Sequence, residues 1–269
     1  METGKSPAIS VIMGVLYKRE KTDLLERSVK SVLSQTYPEF ELLVCDDGSI
    51  EEAKRLLDAI SMEDDRVRLV RPGNKIDLAS KLNACLKEAK GEYIARMDDD
   101  DYSNPSRFQR QKETLDNRLD MAFVGSNVAL VRNRVGFGER KLPEYPMVKD
   151  FYMTQPYVHP ALMFRKTVID AVGGYSEDKM QVLCEDYDLL LRIYAKGYQG
   201  MNIQENLLEY TIPATAKGNR KMKHRWNEAV TRFNRFKELG VLPKATPYVI
   251  KPLLVGLIPD PVLLKIKCK

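Results

Sequence analysis

The sequence is poor in the residues that build metal cages and covalent staples. It has two histidines, His159 and His224, and four cysteines, Cys45, Cys85, Cys184 and Cys268, far apart along the chain. No CxxC or Cys/His spacing occurs, which argues against a structural zinc site. Two histidines cannot supply a histidine-based metal triad. Cys45 and Cys85 fall inside apolar runs, where a buried free thiol is expected, in keeping with a reducing compartment. No run reaches the roughly 20 apolar residues that span a bilayer. A membrane-spanning architecture is therefore excluded, whereas attachment to a membrane surface is not. Met1 to Pro7 is polar and lacks an apolar signal core. The expected location is the cytoplasm, with the inner face of the cell membrane as the alternative. The charge excess is small, +5, but uneven: acidic residues cluster at 98–101, and basic residues dominate after Lys217.

What is present is a regular alternation. Ala8–Leu16 is almost continuously apolar, as in a strand buried on both faces. Helical spacing follows in Leu24, Leu25, Ser28, Val29, Val32 and Leu33, where Asp23 and Glu26 resemble a capping box. Phe40–Cys45 reads as a strand, Glu51–Ile60 as a helix and Val67–Val70 as a strand. Leu78–Ala89 reads as a helix and Tyr93–Met97 as a strand. This order predicts an α/β fold with a mostly parallel central sheet and helices on both faces. From about residue 104 the pattern becomes irregular. Met121–Val131, Ala161–Phe164 and Leu207–Ile212 are strand-like, and Glu185–Lys196 is helical. A basic helix over Lys223–Leu239 precedes an apolar tail punctuated by prolines. The expected division is 1–215 as one domain, with halves 1–103 and 104–215, and 216–269 as a basic loop, helix and tail.

In such sheets ligands bind beyond the carboxyl ends of the strands. Asp46-Asp47 and Asp98 to Asp101 both stand there, so they should share one crevice. In an extended segment Asp98 and Asp100 would face one way, Asp99 and Asp101 the other. Two carboxylates together suit a hard divalent cation, Mn²⁺ or Mg²⁺. The plain alternatives are a solvated acidic turn at 98–101 and ordinary turn chemistry at 46–47.

The stretches ISVIMGVLYKRE, RSVKSVLSQTYPEFELLVCDDGS, GEYIARMDDDDYSNPSRFQRQ, HPALMFRK and GGYSEDKMQVLCEDYDLLLR resemble, in the same order, family-2 glycosyltransferases of the GT-A fold. Bacterial enzymes of surface-polysaccharide synthesis are the most similar. The resemblance implies a nucleotide-binding half at 1–103 and an acceptor-binding half at 104–215. It implies that Asp47, with Asp46 beside it, binds the uracil ring and that Tyr17 or Leu16 flanks it. Asp98 and Asp100 match the DXD motif as metal ligands, with Asp98 or Asp99 facing the ribose. Asp186 matches the catalytic base, preceded by Glu185, and His159 a histidine near the donor phosphates or acceptor. Glu185 shares that contact in prospect, although a structural role is the plainer reading for it. Lys217, Arg220 and Lys221 fall in a loop that folds over the donor phosphates in such enzymes. MKHRW carries Met222 where the QxxRW motif of polymerising relatives has glutamine, which points to transfer of a single sugar.

The expected reaction moves a sugar from a nucleotide-diphosphate donor, a UDP-sugar above all, to a hydroxyl of a glycan or lipid-linked acceptor. A cation neutralises the diphosphate leaving group, and one base serves a single inverting displacement. A retaining double displacement would need a second carboxylate as nucleophile. Two other classes share the strand-end acidic site. A nucleotidyltransferase would carry a Gly-rich basic signature near the first strand, and only Gly14 is there. A non-catalytic nucleotide-binding protein would bind UDP without turnover. Nucleic acid is not an expected partner, because the basic run lacks interleaved stacking aromatics. The tail from Pro247 mixes apolar residues with lysines, as in segments that lie on anionic bilayers.

Overall fold

The computed structural model describes residues 6–19, 21–73, 77–212 and 221–258. Within these, β1 (Ile9–Val15), α1 (Asp23–Leu33), β2 (Phe40–Asp46), α2 (Glu51–Glu63), β3 (Val67–Val70), α3 (Leu78–Glu88) and β4 (Tyr93–Arg96) follow the alternation read from the sequence. β1 pairs in parallel with both β2 and β4, and β2 pairs in parallel with β3. Alternate residues of a strand point to opposite faces, so a strand apolar throughout must be covered twice. β1 sends Ile9, Val11, Met13 and Val15 to one face, where Leu25, Val29 and Val32 of α1 and Leu57 of α2 cover them. Ile12 of β1 and Leu43 and Cys45 of β2 join the opposite core, under Ala79, Leu82 and Cys85 of α3.

The remaining elements are β5 (Tyr102–Ser103), α4 (Arg107–Asn117), β6 (Phe123–Arg132), β7 (Val135–Arg140), β8 (Met163–Arg165), α5 (Lys166–Ala171), α6 (Glu185–Ala195), β9 (Gly200–Thr211), α7 (Met222–Glu238) and α8 (Leu242–Gly256). They extend the same sheet, in the order β3-β2-β1-β4-β8-β6-β9-β5, with β7 on β6. β8 is antiparallel to β4 and to β6, while β9 is parallel to β6. β9 therefore runs in the direction of β4, and its end arrives beside the end of β4.

Several expectations change. The residue before α1 is Thr22, with no side-chain cap, so Asp23 and Glu26 form no capping box. Glu26 instead accepts from Lys30, one turn on. Leu207–Ile212 is the end of a twelve-residue strand, whose polar middle, Gln204 to Asn206, hides its continuity. α4 gave no clear apolar period because its buried stripe is mixed: Arg107, Phe108, Gln111 and Leu115. The proline-punctuated tail is helical through Gly256, with Pro247 and Pro252 inside α8. Residues 259–269 lie outside the described residues, as do Lys217 and Arg220. No helix among the described residues is long and apolar enough to cross a membrane.

Gly14 sets how close α3 comes to β1. A Cβ there would meet Leu78 Cδ1 at 2.8 Å and Lys81 Cβ at 3.3 Å. Gly14→Ala is expected to displace α3 and lower the unfolding free energy by about 1–3 kcal/mol, the range for overpacking a tight core. Chemical denaturation checks this, and an unchanged midpoint would contradict the packing role.

Candidate functional site

β1 and β2 end side by side, and a buried lysine ties their ends together. Lys81 of α3 donates to the Val15 carbonyl at 2.6 Å and to the Asp47 carbonyl at 3.2 Å. Burial lowers its pKa, while Cys45, Asp47, Asp46 and Asp99 nearby favour its charge. The loop after β1 is fixed to the Asp46-Asp47 turn as well. Tyr17 N–H donates to Ser49 Oγ at 2.8 Å, and its carbonyl accepts from Ile50 N–H at 3.0 Å. Gly48, at φ +92°, lets the turn reverse there. Asp46 is buried and has an oxygen without a hydrogen-bond partner. The Tyr17 ring is buried, with its hydroxyl donating to the Lys21 carbonyl at 2.9 Å, and Leu16 is the exposed neighbour.

The acidic run at 98–101 is a turn, not an extended strand, so the alternate-face expectation does not hold. It is pinned from two sides, by α1 and by the end of β9. Ser28 Oγ donates to the Asp98 carbonyl at 2.6 Å, and Thr211 Oγ1 donates to the Asp100 carbonyl at 2.6 Å. Thr211 N–H, at the end of β9, donates to Asp101 Oδ1 at 2.7 Å. Asp101 is thereby a buried structural carboxylate. Asp98 pairs with Arg96, and Asp100 with Arg19 at 2.9 Å. The Asp98 and Asp100 side chains keep 31% and 21% of their surface, enough to meet a ligand.

Asp186 opens α6 and keeps 34% of its side-chain surface. Behind it stands His159, almost fully buried, with Nε2 at 3.3 Å from Asp186 Oδ1 and 2.8 Å from the Tyr175 hydroxyl. Burial and then the Arg96 cation push the imidazole pKa well below its ordinary value, so His159 is neutral. The histidine thus backs the carboxylate of Asp186 instead of opening to solvent. Glu185, the preceding residue, is buried, and one of its oxygens has no hydrogen-bond partner. Burial first, then the Asp186 carboxylate, raises its pKa to about 7.

Two side chains show that these groups share one centre. Burial opposes the charge on Arg96, but Asp98 and then Asp186 outweigh it and hold the guanidinium charged. Burial raises the Tyr210 phenol on β9 to about 12, and Asp98, Asp101, Asp100 and Asp186 add to the rise in that order. One phenol is therefore in electrostatic reach of the acidic turn and of α6. Sequence reasoning missed Arg19, Lys81, Arg96, Tyr175 and Tyr210. Arg96 had a signal, a lone cation in an apolar strand directly before four aspartates. Arg19 and Tyr210 had none, since only the folded topology brings them in.

The residues present fit a divalent cation. Burial, then Asp100 and Asp98, raises Asp99 to about 7, and burial with Asp98 also raises Asp100. A cation relieves that crowding, and all the donors are hard oxygens. Among the described residues no group of three or more His, Cys, Asp or Glu forms a complete cage. Asp98 and Asp100 are the carboxylates of the turn that keep open surface for such an ion.

Known proteins agree with this architecture. EpsE of Bacillus subtilis (strain 168) is 32% identical over 259 residues, covering 96% of this chain and 92% of that protein. The O-antigen biosynthesis glycosyltransferase WbnJ of Escherichia coli is 36% identical over 76% of this chain and 79% of its own length. WfaP of Escherichia coli, a UDP-Glc:alpha-D-GlcNAc-diphosphoundecaprenol beta-1,3-glucosyltransferase, is 28% identical over 81% of this chain and 82% of its own. Among solved structures, mannosyltransferase PcManGT from Pyrobaculum calidifontis, in complex with GDP-Man and Mn²⁺, superposes with a TM-score of 0.66. It is 16% identical and covers 98% of this chain and 80% of its own. S. aureus TarS 1-349 with UDP-GlcNAc gives 0.69 at 18% identity, covering 90% of this chain and 72% of its own. The fold is GT-A. The family described as Glycosyl transferase family 2 matches residues 10–173, and with that match and these relatives the chain belongs to the family-2 glycosyltransferases.

Proposed function

We propose that this glycosyltransferase moves one sugar from a nucleotide-diphosphate sugar to a hydroxyl of a glycan or lipid-linked acceptor, with inversion, in bacterial surface-polysaccharide synthesis. The observation that carries the proposal is that Asp98 pairs with Arg96, whose strand is hydrogen-bonded to Leu162 in the short turn that carries His159, the residue behind Asp186. A UDP-sugar is favoured by the names of WfaP and of the TarS complex. The GDP-Man complex of PcManGT supports a guanine nucleotide as the second reading. The WfaP name also supports the lipid-linked acceptor, and the WbnJ name supports the polysaccharide role.

Asp46 and Asp47 hold the nucleoside in the turns that Lys81 joins, with the exposed Leu16 beside them, while the buried Tyr17 braces the loop from inside. Asp98 and Asp100 hold the cation, and Asp99 faces the ribose. When bound, Mn²⁺ or Mg²⁺ would neutralise charge on the departing nucleotide diphosphate. Asp186 takes the proton of the attacking acceptor hydroxyl. His159, itself hydrogen-bonded to Tyr175, stands behind the Asp186 carboxyl. Glu185 lies against the acceptor side. Because Asp186 works as a base and not a nucleophile, transfer is a single displacement and inverts the anomeric centre.

Asp186→Asn is expected to lower kcat by roughly 10²–10⁴-fold, the usual contribution of a general base, with UDP affinity kept. Turnover with UDP-sugar and Mn²⁺, beside a UDP titration, tests this; undiminished turnover removes Asp186 from the mechanism.

Glu185 gives a pH test. Its folded pKa, about 7, lies above its unfolded value. Its protonated form is therefore favoured by folding at low pH, and that stability is lost as pH rises through 7. Glu185→Gln should raise Tm by about 2–4 °C at about pH 8.5, with the difference vanishing at about pH 4, below the unfolded carboxyl value. Thermal melts at both values check it; a gain that does not depend on pH would contradict the buried carboxyl.

A further inference from the structure

α7 and α8 present apolar side chains to solvent in a pattern that packing does not require. On α7, Met222, Trp226 and Phe233 are exposed; on α8 and its cap, Ile250, Leu254 and Leu257 are exposed. The spacings, four and seven residues on α7 and four and three on α8, place each set on one face of its helix. The inward faces of the same helices are already filled, by Ala229, Thr231, Arg232 and Phe236 on α7 and by Ala245 and Pro252 on α8. The two outer stripes meet at one end, since a Cβ on Gly256 would lie 3.1 Å from Met222 Cε. Exposed apolar side chains gathered on two helices that meet in this way mark an interaction face.

The charge around it selects the partner. Residues 221–258 contain eight Lys and Arg but two Glu. Glu228 is held by Arg232 and Glu238 by Arg235, so the acids are neutralised in place. Lys221, Lys223, Lys237 and Lys244 are exposed beside the stripes. A second copy of this face would bring lysines against lysines. An anionic lipid surface meets both demands, since it takes apolar side chains at the headgroup boundary and pairs with a lysine rim.

We propose that the outer faces of α7 and α8 form a membrane-docking surface that inserts Trp226, Phe233 and Leu254 into the interface of an anionic bilayer. This is independent of the transfer reaction, and it concerns helices far along the chain from Asp98 and Asp186.

The chain carries its own reporter, because Trp226 is the single tryptophan and is 57% exposed. The full chain is mixed with vesicles of phosphatidylcholine alone or of phosphatidylcholine with phosphatidylglycerol, and Trp226 emission and co-sedimentation are followed. The expected result is a blue shift and loss of acrylamide quenching with the anionic vesicles only, reversed by salt. Phe233→Ser and Leu254→Ser should each weaken vesicle partitioning roughly tenfold, the equivalent of one interfacial apolar side chain, with UDP affinity unchanged. Both positions are exposed, so the variants are expected to fold. Emission that stays unshifted on anionic vesicles overturns the proposal. So does emission already blue in vesicle-free buffer. A dependence on protein concentration would then identify a second copy as the occupant, and loss of the shift on removing residues 259–269 would identify the chain's own tail.

Discussion

The whole site depends on keeping several carboxylates close together in a partly buried place. Like charges a few ångströms apart repel, and burial adds the cost of lost hydration. Arg96 answers both. Its guanidinium is almost fully buried at the end of β4 and interacts with Asp98 and with Asp186. Arg107 supports it from α4, donating to the Arg96 carbonyl at 2.8 Å. One fixed cation thus pairs with the proposed metal-binding turn and favours the charges around it. Removing a single partner of such a buried charge is strongly destabilising, which ties the geometry of the site to the stability of the fold.

The sheet explains why the groups meet. β1, β2 and β4 are parallel, so their carboxyl ends open on one side, and β9 returns in the same direction to deliver Thr211 and Tyr210. The backbone of the turn at 98–101 is held by hydrogen bonds from the Ser28 hydroxyl of α1 and the Thr211 hydroxyl of β9. Asp98, Asp100 and Asp186 keep open surface, while Arg96 and His159 are enclosed behind them. That division, accessible acids in front of buried support, is what a preorganised site requires.

Much of this was legible in the sequence. The buried strands Ile9–Val15 and Phe40–Cys45 announce themselves because all positions but Glu41 are apolar or small, as a parallel sheet needs, and Glu41 is held by Ser10, Arg68 and the Lys90 N–H. The acidic groups at the ends of β2 and β4 then locate the crevice. The second half was harder. α4 buries Arg107 and Gln111 on its inner face, so its period is masked by polar residues whose partners are other segments' carbonyls. β9 is interrupted in hydropathy by Gln204 to Asn206, where its register against β6 shifts. The turn at 98–101 was read as extended because a strand-end pattern carries no trace of hydrogen bonds from residues far away, Ser28 and Thr211. Arg19 and Tyr175 were invisible for the same reason, since their roles arise from tertiary contacts with Asp100 and His159.

The central claim is that Asp98 and Asp100 join a nucleotide and a divalent cation in a single site. Calorimetric titration of UDP, with and without Mn²⁺, tests it most directly, with Asp100→Ala as the control. The account predicts that UDP and Mn²⁺ each tighten the binding of the other, and that Asp100→Ala removes this mutual gain. Equal UDP affinity with and without Mn²⁺ in the unaltered protein would contradict it.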